Sequence, residues 1–134
     1  DVKVEFFDGQ SVTTTIVSQS LESLFKEADF ISLHVPAQNG YIISKAELAI
    51  MKDGVGIVNC ARGGVIDGIA LIDALDSGKV GFAGLDVFES EPKPEIKILM
   101  HPKISLTPHI GAATGEAQDR IGTELAQQII SILG

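Results

Sequence analysis

Apolar residues of this chain are bunched into short runs at residues 30–35, 56–59, 81–85 and 104–106, with helix-like stretches between them. Runs that are short and apolar or small throughout, rather than alternating, are the pattern of parallel strands buried on both faces. Parallel strands need crossover connections, so the chain reads as β-α-β-α around one parallel sheet. A length of 134 residues with 45% apolar residues is enough for one core.

Local signals fill in the elements. Residues 2–7 are expected to form a strand ending at Asp8-Gly9, and the Thr-rich stretch 11–17 a short edge strand. Ser20 is placed to cap a helix over 21–27, and the strand over 30–35 is stopped by Pro36. Ser44-Lys45-Ala46-Glu47 matches a capping box for a helix ending near Met51. Asp67 is the N-cap of a helix over 69–77, with Gly78 in the left-handed position after it; a strand over 81–87, a long loop and a strand over 104–106 follow. Thr114 caps a closing helix that carries Ala117, Ile121, Leu125, Ile129 and Leu133 on one face.

Composition excludes several classes. The net charge is −8, and the ten Lys and Arg residues are scattered, which argues against a nucleic-acid partner. One cysteine rules out an internal disulfide framework and suits a reducing cytoplasm. No apolar run approaches the roughly 18 residues of a membrane helix, and no signal peptide is visible. No metal-ligand spacing is present. The chain opens on Asp1 and runs straight into a strand, so it is expected to begin inside a larger protein.

Three segments place a reactive side chain just beyond an apolar run: Asn59-Cys60-Ala61-Arg62-Gly63-Gly64, Asp86-Val87-Phe88-Glu89-Ser90-Glu91-Pro92 and Thr107-Pro108-His109-Ile110-Gly111. In an open parallel sheet, ligands bind outside the carboxyl ends of the strands, which brings Arg62, Glu91 and His109 to one crevice. Each has a plainer reading. His109 alone reads as a surface or core-edge residue, Arg62 as a helix cap or a partner of Asp67, and Glu91 as a solvated loop acid beside Glu89 and Glu95. Cys60 reads as a small core-edge residue rather than a nucleophile, since no base is evident nearby. His101 is expected to be exposed in its loop, His34 to be a strand-end imidazole, and Asp86 and Asp8-Gly9 can simply start turns.

The same segments, with Ser32-Leu33-His34-Val35-Pro36, Val65-Ile66-Asp67 and Gly84-Leu85-Asp86-Val87-Phe88, resemble the D-isomer-specific 2-hydroxyacid dehydrogenases in order and spacing. Gly111-Ala112-Ala113-Thr114 followed by Glu116-Ala117-Gln118 is most similar to the D-3-phosphoglycerate dehydrogenase branch. The resemblance covers nearly the whole chain. It implies a partial Rossmann-type doubly wound α/β sheet that lacks its first strand and phosphate loop, with a long C-terminal helix. Residues 1–112 would be the partial NAD-binding domain, and residues 113–134 a helix leading back toward a substrate domain not in the chain. The implied reaction is NAD-dependent interconversion of a D-2-hydroxy acid and its keto acid, with 3-phosphoglycerate to 3-phosphohydroxypyruvate (serine biosynthesis) first. Hydroxypyruvate or glyoxylate reduction, and a dinucleotide-gated corepressor-like module, stand as alternatives. A homo-oligomer, dimer or tetramer, is implied for the intact protein.

Roles carry over by position. His109 matches the family's acid/base, a task suited to an imidazole with an unperturbed pKa of about 6.5. Glu91 matches the carboxylate on its other ring nitrogen, and Arg62 the fork that holds the substrate carboxylate. Cofactor contacts are implied for Val35, Pro36, Cys60, Ala61, Arg62, Asp86, His109, Gly111 and Ala112. Asp8, at the end of the second strand, would hold the adenosine ribose and favour NAD over NADP. Three departures stand out: no Gly-x-Gly-x-x-Gly occurs, Ala37-Gln38-Asn39-Gly40 replaces a Thr-bearing turn, and Gly68 stands where an acid is usual. Since the missing strand would occupy the centre of the sheet, the strands at 2–7 and 30–35 are expected not to be neighbours.

Overall fold

The computed structural model describes residues 1–37 and 39–133; Gln38 of the departing turn and Gly134 lie outside them. Among the described residues eleven elements follow in order: β1 (Val2–Glu5), β2 (Ser11–Thr14), α1 (Leu21–Glu27), β3 (Phe30–Leu33), α2 (Lys45–Ile50), β4 (Val55–Asn59), α3 (Gly68–Ser77), β5 (Val80–Leu85), α4 (Ile96–Leu99), β6 (Ile104–Leu106) and α5 (Gly115–Leu133). β3, β4, β5 and β6 form a parallel sheet in that order, and β1 and β2 form a separate antiparallel pair. As expected, β1 and β3 are not neighbours. The 11–17 strand is shorter than its β-prone sequence, and it edges β1 alone.

Caps set the helix starts. Ser20 Oγ accepts from the Ser23 N–H, and the Glu47 carboxylate reaches back to the Ser44 N–H at 2.9 Å. Asp67 Oδ1 accepts from the Ile69 and Ala70 N–H groups, so α3 starts firmly despite Gly68. Thr114 Oγ1 accepts from the Ala117 N–H at the start of α5.

The core lies where α3 packs on β5 and α2 packs on α3. Ile43, Val55, Ile57, Val65, Leu71, Leu75 and Val80 are fully buried there, each stabilising the fold by about 1.5–3 kcal/mol through apolar transfer. A short parallel bridge, Ile43 to Ile66, ties the segment before α2 to the one before α3.

Three expectations are corrected. His101 is not exposed: its side chain is 8% accessible, with Nε2 3.2 Å from Asp76 Oδ1 and Nδ1 accepting from the Lys103 N–H, so it pins the end of α3 to the segment entering β6. Cys60 is exposed rather than at the core edge. The long loop before β6 contains α4, a short helix whose Ile98 packs against the core. On α5, Ala117 alone is buried, while Ile121, Leu125, Ile129 and Leu133 stay open.

Candidate active site

Each strand end contributes one part. After β4, the buried Asn59 side chain folds the chain back: its Oδ1 accepts from the Ala61 N–H at 3.0 Å, and its Nδ2 donates to the Arg62 carbonyl at 3.1 Å. Arg62 Nη1 donates to the Ala61 carbonyl at 2.6 Å, and the exposed guanidinium forms no ion pair among the described residues. A permanently charged fork with unused donors is therefore presented at the rim.

After β5, the Asp86 N–H donates to the Asn59 carbonyl, which registers this strand end on the last. The Asp86 carboxylate is 4% exposed and takes three hydrogen bonds, from Thr107 Oγ1 at 2.6 Å and from the Ile110 and Gly111 N–H groups at 2.9 Å each. Burial pushes its pKa up, but those three donors and the nearby His109 outweigh burial and hold it below its ordinary 3.8. This carboxylate therefore braces the loop that carries His109, a role its sequence neighbours did not suggest.

After β6, His109 sits at φ 56°, in the left-handed region. For a residue with a Cβ that conformation costs about 1 kcal/mol or more, so it persists only where the surroundings hold it. Its Nδ1 lies 2.7 Å from Glu91 Oε2, and Glu91 Oε1 accepts from the Phe88 N–H at 2.8 Å. The hydrogen bond to His109, the Phe88 N–H and the His109 charge keep the Glu91 pKa below its ordinary 4.5, against opposition from burial and Asp86. An ionised carboxylate only accepts, so Nδ1 carries the proton and Nε2 is left to exchange one with a ligand. A cavity of about 420 Å³, lined by Phe88, Glu91, Pro92, Leu99, Leu106 and His109, adjoins the pair.

Of the sequence-derived candidates, Asp86 is joined directly to Gly111 and Glu91 to His109, and Arg62 stands at the end of the strand beside β5. Glu89 and Glu95 do not reach the imidazole. Cys60, Gly111 and Ala112 are exposed, Ala61 is buried, Val35 is half-buried, Pro36 is exposed, and His34 Nε2 bonds Ser32 Oγ at 2.7 Å. Asp8 lies on the separate hairpin and accepts from the Gln10 N–H at 3.0 Å, closing a turn. Sequence reasoning missed Tyr41, whose hydroxyl donates to Glu89 Oε1 at 2.7 Å across 48 positions; no local pattern signals such a pair.

These residues suit only part of a dinucleotide, since no Gly-x-Gly-x-x-Gly cradle for its pyrophosphate occurs in the sequence. The rim after β4 presents the small Cys60 beside the Arg62 donors, with Ala61 buried between them, and four parallel strands end on this side in the arrangement that receives ligands in open sheets. Among the described residues, no group of three or more His, Cys, Asp or Glu could hold a metal ion, and no helix is long and apolar enough to cross a membrane.

Comparison with known proteins identifies the family. Residues 4–111 match the family model for the D-isomer specific 2-hydroxyacid dehydrogenase, NAD binding domain. The chain is 54% identical over 119 residues to a hydroxypyruvate reductase of Thermotoga maritima, covering 85% of this chain and 39% of that protein. It is 47% identical over 112 residues to a D-3-phosphoglycerate dehydrogenase of Mycobacterium leprae, covering 82% of this chain and 21% of that one. A D-lactate dehydrogenase of Aquifex aeolicus, solved with NAD and lactic acid, superposes with a TM-score of 0.71 at 36% identity, over 87% of this chain and 40% of its own. The chain thus spans well under half the length of these relatives. It belongs to the NAD-binding domain family of the D-isomer-specific 2-hydroxyacid dehydrogenases.

Proposed function

We propose that the intact protein interconverts a D-2-hydroxy acid and its 2-keto acid with NAD, and that Arg62, Glu91 and His109 carry the chemistry. The observation that carries this reading is the 2.7 Å contact between His109 Nδ1 and Glu91, with the Arg62 guanidinium at the neighbouring strand end. NAD, when bound, accepts or supplies the hydride at the substrate's C2. His109 Nε2 takes the hydroxyl proton in oxidation and returns it in reduction, while Glu91 stabilises the imidazolium formed in between. Arg62 pairs with the substrate carboxylate and draws electron density from the adjacent oxygen.

The substrate proposed first is 3-phosphoglycerate, supported by the 47% identical relative of that activity and by the sequence around Gly111 to Gln118. Hydroxypyruvate is the second reading, favoured by the 54% identical reductase. A cytoplasmic setting is supported by the lone, unpaired Cys60, and a homo-oligomer by the open apolar face of α5. The deciding experiment follows NADH spectrophotometrically in the full-length protein, with 3-phosphoglycerate plus NAD and with hydroxypyruvate plus NADH. Turnover that disappears in His109→Gln supports the reading. Turnover with neither substrate, or turnover that survives the substitution, contradicts it.

A further inference from the structure

Arg62 and the Glu91–His109 pair sit on different strand ends, and the reaction requires both at a fixed separation. What joins them is the Phe88–Glu89 peptide. A Cβ placed on Gly63 would lie 1.9 Å from the Phe88 carbonyl oxygen, 2.3 Å from its carbon and 2.8 Å from the Glu89 nitrogen. The residue after Arg62 therefore lies flat against this peptide, and no side chain fits there without displacing backbone. Phe88 also holds the acid through the peptide before it: its N–H donates to Glu91 Oε1, and Glu91 Oε2 meets His109.

Tyr41 closes the arrangement from above. The Ile42 and Ile43 N–H groups donate to the Val65 carbonyl and the Asp67 N–H donates to the Ile43 carbonyl, which fixes Tyr41 beside the Arg62-Gly63-Gly64 turn. From there its hydroxyl reaches Glu89 Oε1 at 2.7 Å. Its ionisation is pushed above the ordinary 10.0, chiefly by this hydrogen bond and then by burial and charge, so Tyr41 remains a donor at any physiological pH. Gly63, Gly64, Tyr41, Phe88 and Glu89 line one cavity of about 280 Å³.

We infer that Gly63 and Tyr41 are positioning residues, which clasp the Phe88–Glu89 segment and thereby set the distance between Arg62 and the Glu91–His109 pair. The inference rests on the proposed oxidoreduction for its kinetic consequence but not for its structural one. Neither residue bonds the Glu91–His109 pair itself. Each acts by keeping the Phe88 N–H aimed at Glu91, so that the carboxylate is turned toward Nδ1.

The test uses the full-length protein and two readouts: steady-state kinetics with hydroxypyruvate and NADH, and the downfield proton NMR signal of the His109 Nδ1–H. Gly63→Ala is expected to lower kcat at least about tenfold with little change in the KM for NADH, and to broaden or shift that signal. Tyr41→Phe and Glu89→Ala should do the same by about threefold, while Glu89→Gln, which keeps an acceptor oxygen, retains the wild-type signal. If Gly63→Ala does not fold, the Tyr41 and Glu89 variants decide. Wild-type kcat and an unchanged His109 signal in folded variants would overturn the inference. A wild type that turns over neither hydroxypyruvate with NADH nor 3-phosphoglycerate with NAD would instead count against the proposed function, and the NMR arm would still report on the clasp.

Discussion

The Gly111 N–H donates to Asp86 Oδ2 at 2.9 Å, and a Cβ on Gly111 would stand 3.0 Å from that same oxygen. The glycine thus lets the loop close onto a buried carboxylate, and the closure holds His109 in its left-handed conformation. Thr107 and Ile110 complete the grip, one on each side of His109. Asp86→Ala leaves two N–H groups and a hydroxyl without their acceptor, which should cost about 1–3 kcal/mol. Urea unfolding of wild type and variant measures it; equal midpoints would remove Asp86 from this role.

Acid should act through the same carboxylate and through Glu91. Both are held below their ordinary values of 3.8 and 4.5. A depressed carboxylate contributes stability that is fully present above its unfolded pKa and is lost as pH falls through its folded pKa. The melting temperature should therefore hold from about pH 7 to about pH 5 and decline below about pH 4, less steeply in Asp86→Ala. A wild-type melting temperature that stays level down to about pH 3 contradicts this.

His109→Gln should lower kcat by on the order of a hundredfold or more, because the amide cannot carry a proton between substrate and solvent. Arg62→Ala is expected to raise the KM for the acid substrate more than it changes the KM for NADH. Steady-state kinetics on the full-length variants distinguishes the two, and a His109→Gln enzyme near wild-type rate would exclude the imidazole as acid/base.

Asp8 is proposed to set cofactor choice by accepting hydrogen bonds from the ribose and repelling the 2′-phosphate of NADP. Asp8→Ala should narrow the preference for NAD, seen as the ratio of kcat/KM for the two cofactors. An unchanged ratio would leave Asp8 with only its turn, in which it accepts from Gln10.

The 134 residues contain no Gly-x-Gly-x-x-Gly, so the backbone cradle and helix N-terminus that hold a pyrophosphate are not among them. Calorimetric titration of this chain with NAD should give binding weaker than about 1 mM. Micromolar affinity would show that the residues after β3 to β6 suffice.

What the sequence determined by itself was local or periodic. Short apolar runs marked the parallel strands, although only β4 is buried along almost its whole length while β3 alternates exposed and buried residues and β6 is half open, and Ser20, Asp67 and Thr114 cap helices because their side chains reach backbone within three positions. Arg62, Glu91 and His109 were legible as candidates because each follows a parallel strand, and of these the structure brings Glu91 and His109 into contact. Tertiary structure decided the partners. Asp86 meets Gly111 across 25 positions, Tyr41 meets Glu89 across 48, and His101 meets Asp76 across 25; such pairs exist only once the strands are in register. Burial on α5 shows the same limit: the repeat of apolar residues marks a face, but packing exists only where another element covers it, and here that is Ala117 alone.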